Sequence, residues 1–490
     1  MKKPFLKKEI RERGFMLLQT LVFASIAIVM LTGLIGWAGV SVRAARHAFA
    51  REQAFQIAEA GIEYYRWHLA HAPTDYQDGT GVAGPYVHNF IDVYGVTLGQ
   101  FTLTITPPYL GSTKVVVRSV GTVTGDTSAT RKVEAQFAKP SIAKYAAVTN
   151  ARVYYGTGDE VYGPIHSNTG VGFLDGNPDP IAHNTVTSAV TTWNDGANRF
   201  GVYTTVPGAD PAPPAAVPNR PDVFQGGRQF PVPTVDFSGM TADLSALKTL
   251  AQASGFYRAG SGGSGYLVEL KTNDTFDLYR VNSLLPVPNN CVNVFNQAGW
   301  GTWSVGITGG ARTLLGNYAF PGNGIMVFED HVWVEGMVNT ARLTMVAAQF
   351  PVNVATYRNI IVNNNLRYTN YDGSDALGFI AQGNFLVGLA SANNLRIDGA
   401  IVAQNGATFR YYYRGPTGQR CSPNHQRASL TTYGMLASFG QGYFYITSNQ
   451  GNSGYLSQPA SYDTNLLYAP PPSFPLLSDQ YQTLYWQEVK

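Results

Sequence analysis

Six carboxylates, Glu329, Asp330, Glu335, Asp372, Asp375 and Asp398, are the side chains of this sequence best suited to acid and base work on a polysaccharide. Such chemistry needs paired acids with basic partners on one face, and these six are scattered through turn-rich sequence without a shared register. No catalytic role is expected of them. The run Asp175-Gly-Asn-Pro-Asp179 sets Asp175, Asn177 and Asp179 at alternate positions, a spacing that calcium accepts. It lacks the bidentate glutamate that would complete a loop, and Pro178 interrupts it, so an Asx-type turn is the better reading. The eight histidines show no metal spacing, and His166 is expected to line a turn. Gly260 to Gly265 has no lysine to complete a phosphate loop. Glu59 and Glu63 stand one helical turn apart and read as a solvated face. No cofactor is expected.

Two further groups carry chemistry of a different kind. Cys291 and Cys421 are the only cysteines; on the oxidising side of a membrane they could close a long loop as a disulfide, or remain two separate buried thiols. Tyr411, Tyr412 and Tyr413, with Tyr443 and Tyr445, concentrate aromatic rings late in the chain. Exposed, they would make an adhesive or glycan-stacking surface; half-buried, they would be ordinary strand positions.

The elements that must position these residues are mostly strands. At 490 residues, with 13 % charged residues, 52 glycines and 29 tyrosines, the composition fits an exported β-rich protein with many tight turns. A net charge of +3 without a concentrated basic patch excludes a nucleic-acid-binding profile. From residue 86 to 137 the hydrophobic period is two, and strands are expected at 100–106, 114–120 and 131–137. A short antiparallel sheet over 73–140 follows.

From 141 to 475 a large β-rich domain is expected. Four segments align with a glycine in the third place: Val161 to Ser167, Val334 to Thr340, Ile397 to Ala403 and Thr432 to Ser438. Taking Gly336 and Gly399 as three coils of about 21 residues gives a parallel β-helix-like solenoid, with a β-sandwich as the alternative. Residues 207–221 read as a Pro-rich surface loop, 241–253 as a short helix, and 476–490 as a C-terminal tail that follows a polyproline-like strap.

The N-terminus organises all of this. Six basic residues and two acids precede Gly14, and from Phe15 to Val42 there are 28 residues without a charge. That is enough helix to cross a hydrocarbon layer of about 30 Å. The amphipathic pattern continues through Ala48, Phe55, Ala58, Ile62, Tyr65 and Leu69 to a stop at Pro73, so one helix is expected over 15–72, with 15–42 as its transmembrane half.

A basic leader over 1–14, a glycine, then a phenylalanine opening an uncharged helix resembles the type IV prepilin N-terminus. The run Ala58-Glu-Ala-Gly-Ile-Glu63 resembles PilX-type minor pilins. The resemblance implies an α+β pilin fold, cleavage by a prepilin peptidase between Gly14 and Phe15, and N-methylation of Phe15. It also implies assembly with other pilins through the helix. Gln19 departs from the family, in which the fifth mature residue is usually glutamate, and that departure suits a minor or tip subunit.

The expectation is therefore a minor pilin involved in pilus assembly and surface adhesion, contacting a tip adhesin or a surface glycan. It would sit in the cytoplasmic membrane, N-terminus inside, before processing and on the surface pilus afterwards. The alternatives are a type II secretion pseudopilin and a membrane-anchored, carbohydrate-binding or carbohydrate-active β-helix protein.

Overall fold

A computed structural model describes residues 10–237, 239–414, 421, 424–449 and 451–489. The first nine residues of the expected leader lie outside the described residues. The chain divides into two compact units, one of residues 1–107, 115–137 and 483–490, the other of 108–114 and 138–482.

The smaller unit is one long helix and one antiparallel sheet. Helix α1 (Ile10–His71) is followed by β1 (Tyr86–Ile91), β2 (Thr97–Thr106), β3 (Val115–Val123) and β4 (Asp126–Ala138). The C-terminal strand Gln482–Val489 joins the sheet beside β4. The expected tail of 476–490 is thus corrected: its second half is a sheet strand, with the Tyr485 hydroxyl donating to Glu134 at 2.5 Å and Glu488 paired with Arg131. The prolines that argued against a strand all precede it.

Alternation along β3 and β4 turns Val115, Val117, Val133, Ala135 and Phe137 inward. Against them α1 lays Ala54, Ile57, Ala58, Ile62, Tyr65 and Leu69. Ala48, expected on that stripe, is exposed; at 3.6 residues per turn it lies about 120° around the helix from Ala54. Two glycines set the helix-to-sheet distance. A Cβ on Gly121 would stand 2.0 Å from the Ala54 carbonyl oxygen, and one on Gly61 would stand 2.3 Å from Ser119 Oγ.

The larger unit is built from parallel ladders. In one, Phe256–Arg258, Ile325–Phe328, Arg342–Ala347, Ala376–Ala381, Asn394–Ala403 and Gln426–Ser438 follow one another in parallel register. The ladder then continues not with later sequence but with Ala147–Thr149, Ile165–Ser167, Val186–Ser188 and Arg228–Gln229. A second ladder runs through Gly265–Leu270, Val332–Val338, Leu366–Tyr368 and Ile397, then Thr432, Ala460 and Val161. These pairings are parallel, whereas the strands of a sandwich pair antiparallel. Three of the four aligned segments share one register, with Gly399 opposite Gly434. The fourth is displaced by two residues, since Gly336 pairs with Leu366 and Leu366 with Ile397. Two coils, not three, separate those positions.

The core between the ladders is continuous, with Phe328, Val334, Leu366, Phe379, Ile397 and Ile401 in contact. Helix α2 (Gly239–Ser254), expected over 241–253, packs against Phe256–Arg258 and Ile325–Phe328, and its Leu244, Leu247 and Ala251 join one apolar cluster with Val327, Val346, Ile380 and Val402. This double burial explains strands such as Arg342–Ala347 that are buried at every position. The Arg342 guanidinium also donates to Leu110, Gly373, Ala469 and Pro470 carbonyls at 2.8, 2.5, 2.6 and 2.7 Å, fastening the Pro-rich strap. The 207–221 loop is pinned by buried Arg228, which meets Asp210 at 2.5 Å and the Pro218 carbonyl at 2.7 Å.

Candidate functional site

The candidate site is the first half of α1. An eighteen-residue window of mean hydropathy 2.2 lies within the Phe15–His71 part of the helix, and none of that window is buried. Phe15 is 66 % exposed, and Leu18, Phe23, Met30, Leu34 and Trp37 are exposed alike. Uncharged, unburied helix of this length is stable against lipid or other helices, not against water.

Its few polar side chains behave accordingly. The Thr20 hydroxyl donates to the Leu17 carbonyl at 2.9 Å, Ser25 to Val22 at 2.8 Å and Thr32 to Ile28 at 2.9 Å. Each is satisfied by its own helix, as an apolar surrounding demands. Gln19 is exposed on the same segment; its neutral amide needs a partner in lipid but avoids the larger penalty of an unpaired carboxylate. Gly14 lies within the helix and Phe15 follows it without a break.

Charge returns at Arg43, and the sheet begins just above. His47 Nδ1 meets the Asp126 carboxylate at 2.8 Å, at the turn joining β3 and β4. The Ser128 hydroxyl, then His47, hold the Asp126 carboxyl down to about 2. Sequence reading passed over this contact, although Thr124-Gly-Asp126 is a recognisable turn.

Comparison with protein-family models finds no match, and neither does comparison with curated proteins. Among solved structures, the competence-associated pilin ComZ from Thermus thermophilus is similar. Identity is 13 %, the match covers 90 % of this chain and 98 % of that one, and the TM-score is 0.31.

The remaining expected sites resolve differently. Cys291 and Cys421 are joined in a disulfide across 130 residues. Tyr411, Tyr412 and Tyr413 are 2, 1 and 0 % exposed, which overturns their reading as an adhesive surface. Their hydroxyls donate to the Ala298, Gly451 and Gly301 carbonyls, each at 2.8 Å. Tyr411 and Tyr413 belong to the core beneath the loop that carries Cys291, with Trp300 and Trp303 packed against it. Tyr443 and Tyr445 are half-buried, and the Tyr443 hydroxyl accepts from Gln297 at 3.0 Å. Burial raises the pKa of Tyr411, Tyr413 and Tyr443.

Asp175 and Asn177 are exposed, while Asp179 accepts from the Gly176 N–H at 3.2 Å, the geometry of a polar turn. Among the described residues no three His, Cys, Asp or Glu side chains converge as a metal site. Buried His166 contacts Thr187 Oγ1 at 3.0 Å and Asn168 Oδ1 at 2.9 Å, and burial lowers its pKa.

The six carboxylates are engaged in holding turns and strands. Asp398 accepts from Tyr368 N–H and Tyr371 hydroxyl at 3.0 and 2.8 Å, and Asp375 from Ala341 and Thr369 N–H at 3.0 Å. Asp330 accepts from the Ser261 hydroxyl at 2.6 Å, Asp372 from the Ser374 hydroxyl at 2.6 Å, and Glu335 from the Asn364 amide at 2.6 Å. Glu329 pairs with Lys248.

Proposed function

We propose that this chain is a pilin-like subunit that is anchored in a membrane by Phe15–Val42 and enters a filament through that same surface. The observation that carries the reading is the exposed, uncharged first half of α1, in which the Thr20, Ser25 and Thr32 hydroxyls are satisfied by the helix itself, while the second half of the helix is seated on a sheet. In the proposed cycle a prepilin peptidase cuts between Gly14 and Phe15, the new N-terminus is methylated, and the helix packs among those of other pilins. Gln19 in place of a carboxylate supports a minor or tip position: without a negative charge to match the amine of a neighbour, the subunit suits the end of a filament better than its repeating shaft. The proposed role is structural rather than enzymatic, and the large unit is the part presented for surface contact.

The test is intact mass and N-terminal sequencing of protein recovered from a sheared surface fraction. A chain beginning at methylated Phe15 is the expected result. An uncut Met1 terminus retained in the membrane fraction would overturn the reading.

A further inference from the structure

The end of the small sheet nearest the apolar helix carries an exposed apolar turn. Val93 and Tyr94 are 93 and 87 % exposed, and Ile91 and Val96 beside them are exposed as well. The turn is rigid: the Asp92 carboxylate accepts from both Tyr94 and Val96 N–H at 2.9 Å, and the Gly95 N–H donates to the Asp92 carbonyl at 3.1 Å. A fixed turn that displays a valine and a tyrosine to water is costly unless something covers it.

Its position follows from register. Gly99 of β2 pairs with Val123 of β3, so the β1–β2 turn and the β3–β4 turn lie at the same end of the sheet. The β3–β4 turn is fixed to α1 by His47 and Asp126 at 2.8 Å. His47 is five residues beyond Val42, where the uncharged segment stops, and five helical residues rise only about 8 Å. Helical spacing also places Arg43 and Arg46 below the sheet, on the face that carries His47, Ala50 and Ala54. Both are exposed. Asp92 and Asp126, at this end, are tied into their own turns.

The geometry points to a lipid surface as the occupant: before assembly, the Ile91–Val96 turn rests in the bilayer interface, with Arg43 and Arg46 against the headgroup phosphates. This rests on the reading that Phe15–Val42 spans the membrane. Continuity with that span, an amphipathic tyrosine at headgroup depth and cations beside it are the features that such an interface selects. The contact fixes the small sheet relative to the membrane and is given up when the helix leaves the bilayer.

The test uses the full chain in lipid nanodiscs of phosphatidylcholine and phosphatidylglycerol, one copy per disc. A nitroxide is attached in turn at Val93→Cys, Val29→Cys and Val82→Cys, the native cysteines being bonded to each other. Val82 is an exposed valine at the opposite end of the sheet, where Tyr86 holds its carbonyl at 2.7 Å. Oxygen and a water-soluble nickel chelate report lipid and water. The expected result is a several-fold preference for oxygen at 29 and 93, for nickel at 82, and a loss of the preference at 93 when Tyr94→Asp is added. Oxygen at 29 with nickel at 93 would overturn the docking while leaving the span intact; nickel at 29 would overturn both. Shielding at 93 from both reagents that grows with copies per disc would put a second chain on the turn and overturn the lipid assignment.

Discussion

His331 shows how a single buried side chain in the large unit ties stability to pH. Its Nδ1 accepts the Asn359 N–H at 3.0 Å, which requires the neutral ring. Burial, with Arg358 beside it, holds the imidazole down to about 4, against a smaller upward pull from Asp330. The unfolded chain, with a histidine near 6.5, therefore takes up the proton first. The contribution is complete above pH 6.5 and is lost as the pH falls toward 4. Replacing His331→Gln should flatten that part of the stability profile, read as the urea midpoint against pH; an unchanged slope would mean the ring is not neutral by necessity. Arg410, by contrast, is a buried guanidinium held by carbonyls and no carboxylate. Its guanidinium donates to the Leu389, Asn424 and His425 carbonyls at 3.2, 2.6 and 3.1 Å and lies 4.8 Å from the Tyr413 ring, while burial pulls its pKa down to about 10. Its neighbours Tyr411 to Tyr413 could not be placed from sequence, because alternate aromatic positions on an outer face and in a core look alike. What decided their burial was the loop bonded through Cys291, a partner more than a hundred residues away.

At the scale of elements, the contact of α1 with β3 turns on missing side chains. Gly121→Ala would drive a methyl into the Ala54 carbonyl, forcing helix and sheet apart. Overpacking of this kind costs about 1–3 kcal/mol, so the full chain in detergent should melt earlier while the large unit keeps its own transition. Coincident loss of both transitions would contradict the division into two units. Helix α1 and helix α2 were legible because their periods and stop signals are local: Pro73 ends one, and Leu244, Leu247 and Leu250 mark the other. Leu250 proved exposed, its place on the core taken by Ala251. Strand β1 was missed because Tyr-Val-His-Asn-Phe-Ile sets its apolar residues in adjacent pairs, although in the fold its burial alternates strictly. The glycine register at 399 and 434 was legible, since a residue with φ near +140° repeats at the same place in successive coils. Coil order was not, because the strand that follows Leu436 in the ladder is Ala147, and nothing local to either announces the other. For the candidate site, the apolar span could be read outright from composition, whereas the turn at Val93 and Tyr94 acquires meaning only from the sheet that carries it.

At the scale of the whole molecule, long-range closures dominate. The disulfide joins positions 130 residues apart, and loops of that size correspond to about 5 kcal/mol in the chain-entropy model. Reduction should lower the denaturant midpoint of the large unit and spare the small one; an equal shift in both would show that the bond acts elsewhere. A second closure is made without covalent help. The strand Gln482–Val489 lies beside β4, whose residues precede it by some hundreds of positions, and Trp486 meets Phe55 of α1 edge to face at 5.8 Å. The unit that leaves the ribosome first is therefore completed by a strand made only after the large unit. Until then β4 presents an open edge, the form in which sheets pair wrongly or are recognised by proteases. A chain interrupted anywhere before residue 482 would carry that open edge permanently. The edge of the small sheet can therefore close only after the intervening large unit has been synthesised.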